Sequence, residues 1–186
     1  MKKAILLLCS VATAQTLTTE TELTNGGDLS HYFIYHQTSL CGMVFYHRPA
    51  GGHALIEVAG GPSWKSEKGS LDVYLGGSND RRLIAAVVAT AKLPAKLEAV
   101  FISDPKIQLG LSGSPTAWYN RTLVGRDWIW FRTDGFWMQH IGNLSRQYGI
   151  EFRVKLKDRI EVFSFPSGDA VTKQAGITAG LRIKIF

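Results

Sequence analysis

Ile150-Glu151-Phe152-Arg153-Val154-Lys155-Leu156-Lys157 alternates apolar and charged side chains without a break. Successive side chains of a strand point to opposite faces, so this stretch is a strand with one apolar and one ionic face. Asp158-Arg159 reads as a turn, and Ile160 to Phe165 returns as the second strand of a hairpin. In a water-soluble sheet such a strand is half buried. Ile150, Phe152, Val154 and Leu156 then pack on a core, while Glu151, Arg153, Lys155 and Lys157 are solvated.

Outward from the hairpin, short β-rich runs broken by Gly and Pro dominate. They are His31 to Gln37, Cys41 to His47, His53 to Val58, Ser70 to Leu75, Lys96 to Ser103, Lys106 to Leu111, Arg126 to Arg132 and, at the end, Leu181 to Phe186. Two segments carry helical spacing instead. In Arg81 to Lys92, Leu83, Ile84, Val87, Val88 and Ala91 share a helical face behind the capping oxygens of Ser78, Asn79 and Asp80, although the valines also suit a strand. In Phe136 to Tyr148, apolar residues recur at helical spacing between Asp134 and Gly149, a cap and a stop. A third short helix is predicted from Asp169 to Ala175. The fold class expected is α+β with β dominant: a mostly antiparallel sheet assembly with two or three short helices.

Residues 1–14 have the order of a secretory signal peptide. Lys2-Lys3 precedes a short apolar run from Ala4 to Val11, and Ala12-Thr13-Ala14 supplies the cleavage site. Cleavage there predicts a periplasmic or secreted chain and lowers the net charge from +6 to +4 by removing Lys2 and Lys3. Residues 15–30, rich in Thr and ending in Asn25-Gly26-Gly27-Asp28, read as a flexible lead that either stays mobile or pairs as an edge strand, and 31–186 as one globular domain. Cys41 has no mature partner for an intrachain disulfide, so it reads as a small buried hydrophobe.

No nucleophile elbow, zincin motif, P-loop or dinucleotide fingerprint occurs. Ser103-Asp104-Pro105-Lys106 resembles an S-x-x-K string but sits between strand patterns as a turn. His31, His36, His47 and His53 surround Cys41, yet their spacing does not bring three ligands together along one strand, so no metal or cofactor is expected. A mild basic excess does not indicate a nucleic-acid partner.

Two candidate surfaces remain. If Arg126 to Arg132 is a strand, Arg126, Trp128, Trp130 and Arg132 share one face. Exposed, that face stacks on rings and pairs with anions; buried, it is an aromatic core with arginines at its ends, the favoured reading. Arg153, Lys155 and Lys157 with Arg182 and Lys184 form a basic patch if their strands are close together. The expected function is therefore an exported, non-catalytic, periplasmic domain binding a protein or an anionic envelope polymer. A small exported hydrolase is the second reading, built from His140 or a clustered histidine with Asp127 or Asp134. An outer-membrane β-barrel is the third. It is disfavoured because Phe186 shares its phase with Lys184 and Arg182 rather than with Ile185, Ile183 and Leu181, and because helices do not fit a barrel wall.

Overall fold

The computed structural model describes residues 16–108, 117–139 and 142–186. They form twelve strands: β1 (Thr16–Thr24), β2 (Leu29–Gln37), β3 (Leu40–Arg48), β4 (Leu55–Ser66), β5 (Gly69–Ser78), β6 (Arg82–Lys92), β7 (Glu98–Gln108), β8 (Ala117–Arg126), β9 (Ile129–Met138), β10 (Gly142–Lys157), β11 (Ile160–Asp169) and β12 (Ala175–Lys184). Each pairs antiparallel with its chain neighbour, and β1 pairs with β12, so the sheet closes into a barrel. The expected α+β class is thus corrected to all-β, with one 3₁₀ turn (Pro94–Lys96) and no α-helix among the described residues.

Each predicted helix fails for a local reason. Arg81 to Lys92 is mostly β6, whose alanines, valines and other aliphatics are apolar on both faces, so periodicity does not distinguish helix from strand. Phe136 to Tyr148 is the end of β9 and the start of β10, joined through Met138↔Gly142, and Gly142 takes φ 86°. His140 and Ile141 lie outside the described residues, as do residues 1–15 with the expected signal peptide. Asp169 does act as a cap, accepting the N–H groups of Val171 (2.7 Å) and Thr172 (3.0 Å). The turn then ends at Lys173, φ 61°, and the chain re-enters the sheet. Residues 16–24, read as part of a loose lead, are β1. It pairs with β2 on one side and β12 on the other.

Register decides which face looks inward. Across β9, β10, β11 and β12 the row Trp130↔Glu151 and Arg153↔Phe163↔Gly180 lies on the inner face. Arg132 and Glu151 are 1 % exposed and Glu57 is 0 % exposed. The opposite face carries Leu75, Leu156 and Trp128, each about three-fifths exposed, with Val58, Phe101, Phe131, Ile150, Phe152, Val154 and Ile177 also exposed. The polarity of the Ile150–Lys157 strand is therefore reversed. Ile150, Phe152 and Val154 face outward and Glu151, Arg153 and Lys155 line the barrel, until a bulge between Lys155 and Lys157 shifts the register at the rim.

This surface overturns the expectation of a soluble periplasmic domain that is not integral to a membrane. Water would meet rows of Leu, Val, Phe and Trp, while the charges are enclosed. That is the polarity of a barrel set in hydrocarbon. The argument from Phe186 fails because β12 ends at Lys184; Leu181 and Ile183 point outward within the strand, and Phe186 lies beyond it. At the end where β1 starts and β12 finishes, two-residue turns join β2–β3, β4–β5, β8–β9 and β10–β11, whereas the opposite end has longer links such as 49–54 and 170–174. Exposed rings sit near both rims, Trp64 and Trp128 at the short-turn end and Trp118 at the other.

Candidate functional site

The lumen is divided in two. On the side of β2–β7 its wall is largely apolar: Cys41, Met43, Ala59, Tyr74, Ile84 and Ala86 form a buried cluster, with Tyr32, Ile34 and Val88 against it. The Cys41 thiol donates to the carbonyls of Gly61 (3.4 Å) and Pro62 (3.5 Å). Two polar contacts bridge this half. Lys106 of β7 pairs with Glu57 of β4 and stands 5.4 Å from the centroid of the Phe45 ring. His36 of β2 donates to Asp72 of β5 at 2.9 Å, and Ser63 donates to the same carboxylate at 2.6 Å. Serine and imidazole both address Asp72 rather than each other, so no base acts on that hydroxyl.

The other side, formed by β8–β12 with β1, is ionic. Arg132 donates from Nη1 to Glu151 at 2.8 Å and from Nη2 to Asp134 at 2.7 Å, and lies 3.2 Å from Glu22. Arg121 donates to Asp134 at 3.0 Å and makes two parallel bonds of 2.9 Å to Glu22. Arg153 donates to Glu151 at 2.6 Å, and Arg182 donates to Glu20 at 2.6 Å and Glu161 at 2.5 Å.

The guanidiniums are also held from beneath by rings, and the rings by glycine. Gly125 faces Trp130 across β8–β9, and Gly180 faces Phe163 across β11–β12. A Cβ on Gly125 would come within 2.8 Å of the Trp130 ring and one on Gly180 within 2.2 Å of the Phe163 ring, so each glycine leaves its aromatic room to lie against the wall. Arg153 stacks 3.8 Å above Trp130, Arg182 5.6 Å above Phe163 and Arg132 4.4 Å above Phe165.

The expected four-residue face does not exist as one surface. Trp130 and Arg132 point inward and are buried, whereas Arg126 is exposed at the rim and Trp128 lies in the β8–β9 turn, stacked on Phe152 outside the barrel (6.5 Å, 19°). The turn breaks the alternation on which that face depended. The expected basic patch is brought together in part. β11 separates β10 from β12 and inserts Glu161 in register between Lys155 and Arg182. Arg153 and Arg182 are neutralised, while Lys155, Lys157 and Lys184 are exposed at the short-turn end with no ion pair among the described residues. Lys65 and Lys92 occupy inward positions near the same end.

Of the hydrolase candidates, Asp134 is held by two arginines, and Asp127 is an exposed turn residue 3.7 Å from Arg126. Among the described residues no three His, Cys, Asp or Glu side chains are placed to hold a metal ion. Reasoning from sequence missed Glu20, Glu22, Arg121 and Asp134 as a structural partner, whereas Glu151 and Glu161 were open to it as acids balancing the basic residues. The available signal was charge alternating with apolar residues in several strands, once that alternation is read as lumen-facing.

No family model and no curated protein matches the chain. Solved structures do resemble it. The chain is similar to "KdgM porin in complex with disordered oligogalacturonate", with TM-score 0.64 and 7% identity over 92% of this chain and 99% of that one. It is likewise similar to "KdgM porin", with TM-score 0.61 and 8% identity over the same shares of each chain. At such identity the likeness establishes the fold: a closed twelve-stranded antiparallel barrel, in place of the expected sheet assembly with helices.

Proposed function

We propose that this chain is an outer-membrane channel of the porin kind that passes small anionic solutes, with carboxylate-bearing oligosaccharides as the substrate class. The observation that carries this reading is the inverted polarity of a closed barrel. Hydrocarbon tolerates no open sheet edge and penalises charge on the lipid-facing side, most at its centre, and a closed barrel with an apolar outer face meets both conditions. The choice of anions rests on the exposed lysines at the short-turn mouth (Lys155, Lys157 and Lys184, with Lys65 and Lys92 on inward positions). A mouth lined by one sign of charge raises the local concentration of the opposite ion. The structurally similar porin in complex with oligogalacturonate supports the same class.

Refolded protein inserted into planar bilayers is expected to give discrete conductance steps. Under a potassium chloride gradient the reversal potential should be that of an anion-preferring pore. Protein that stays monodisperse without detergent and never inserts would overturn the reading.

A further inference from the structure

We propose that Glu22 is the gate of the lumen: its carboxylate crosses from β1 and occupies the guanidiniums of Arg121 and Arg132, which its withdrawal leaves open to an anionic solute. The inference rests on the channel reading and adds what closes the channel.

The crossing is established by geometry. Twelve strands spaced ~4.8 Å and tilted ~40° give a round barrel a diameter of roughly 24 Å. β1 and β8 are separated by five strand steps one way and seven the other, almost diametrically opposed. An arginine and a glutamate meeting end to end span far less than that diameter. The two 2.9 Å bonds between Arg121 and Glu22 therefore require a flattened section, with β1 and β8 on its facing sides.

The rest of the ionic network is local to one wall or the other. Arg121, Arg132 and Arg153 are tied to Asp134 and Glu151 on adjacent strands β8, β9 and β10. Arg182 is tied to Glu20 and Glu161 on β1, β11 and β12. Among the described residues Glu22 joins the halves, aided only by a 3.7 Å approach of Glu20 to Arg121. Take Glu22 away and each arginine keeps a carboxylate on its own wall, so the wall stays paired. The β8–β10 group then holds three guanidiniums against two carboxylates, a site one negative charge short. A carboxylate of a passing solute restores the balance at the position Glu22 held. Glu22 is thus a built-in competitor for the solute. The bridges Lys106–Glu57 and His36–Asp72 span only three strand steps over the apolar half and stay in place.

The test compares wild type, Glu22→Ala, Glu22→Gln and Asp80→Asn in planar bilayers. Asp80→Asn removes one negative charge that pairs with Arg82 at the long-link rim, away from the β8–β10 guanidiniums and the crossing. Both Glu22 variants should raise single-channel conductance several-fold and shift the reversal potential further toward anions. Asp80→Asn should conduct like wild type. Added galacturonate should reduce the current through Glu22→Ala and leave the wild-type current unchanged. Should Glu22→Ala not refold, the near-isosteric Glu22→Gln decides. Three results overturn the gate while leaving the channel: wild type already conducting like Glu22→Ala, folded Glu22 variants conducting like wild type, or Asp80→Asn opening the pore equally. Inserted protein that is silent in every form overturns the channel reading itself.

Discussion

Trp128 and Trp130 are two residues apart and obey different physics. Trp130 is buried in the lumen wall, lies under the Arg153 guanidinium and donates its indole N–H to the Asp127 carbonyl at 3.3 Å. Trp128 projects from the turn and is 62 % exposed. Trp130→Ala should lower stability by about 3–5 kcal/mol, as loss of a large packed aromatic does, and leave Arg153 without its platform. Trp128→Ala should cost far less, because the ring loses only its stacking on Phe152 and its place at the rim. Urea titration of both variants refolded in vesicles, followed by tryptophan fluorescence, checks the pair. Equal losses would contradict the opposite placement. The alternation was legible at this scale, but its sense was not. An apolar row and a charged row read the same whether the apolar row meets a core or a lipid, and only closure of the sheet decides between them. The turn at Asp127-Trp128 was not legible at all, since Arg126 to Arg132 continues the pattern through it.

Strands carry that ambiguity unequally. β10 shows it at its plainest, with a charged inner row opposed to an apolar outer one. β6 conceals it, because Ile84, Ala86 and Val88 face inward while Leu83, Ala85 and Val87 face outward, so over the middle of the strand neither row is polar. β1 conceals it in the opposite way. Its outer threonines Thr19 and Thr21 hydrogen-bond with the ring of His31 on β2 at 3.0 and 2.6 Å, which satisfies the hydroxyls at the surface and makes a strand resemble a loop in composition. A charge placed on an outer row separates the two environments by energy. Leu75 lies on the outer face of β5, four residues short of its loop-end link. Leu75→Arg should cost about 2–4 kcal/mol if that position lies near the bilayer midplane, with the penalty falling toward the interfaces. Tyr74→Phe, one residue away on the inner face, should change stability far less. Equilibrium unfolding from vesicles measures both, and a tolerated Leu75→Arg would remove the lipid from that face.

At the scale of the whole molecule, the closed barrel has one seam made by chain ends. Thr18↔Lys184 through Thr24↔Thr178 join the first strand to the last, and Arg182 reaches Glu20 across that join. Closure abolishes the two edges that an open sheet of these strands would offer to other chains. It also sets the order in which the molecule can be made. Every other pairing is a hairpin between consecutive strands and can form as soon as its second strand exists, but the seam waits for the last strand. A contact spanning nearly the whole chain is the slowest kind to find. A chain truncated after Asp169 should therefore bind vesicles yet never acquire the protease-resistant, compact form seen on unboiled gels, while the full chain acquires it in a single late step. During biosynthesis the earlier strands must be sheltered from one another's copies for as long as that final strand is missing, so the demand this molecule makes on escorting chaperones is written in the position of β12.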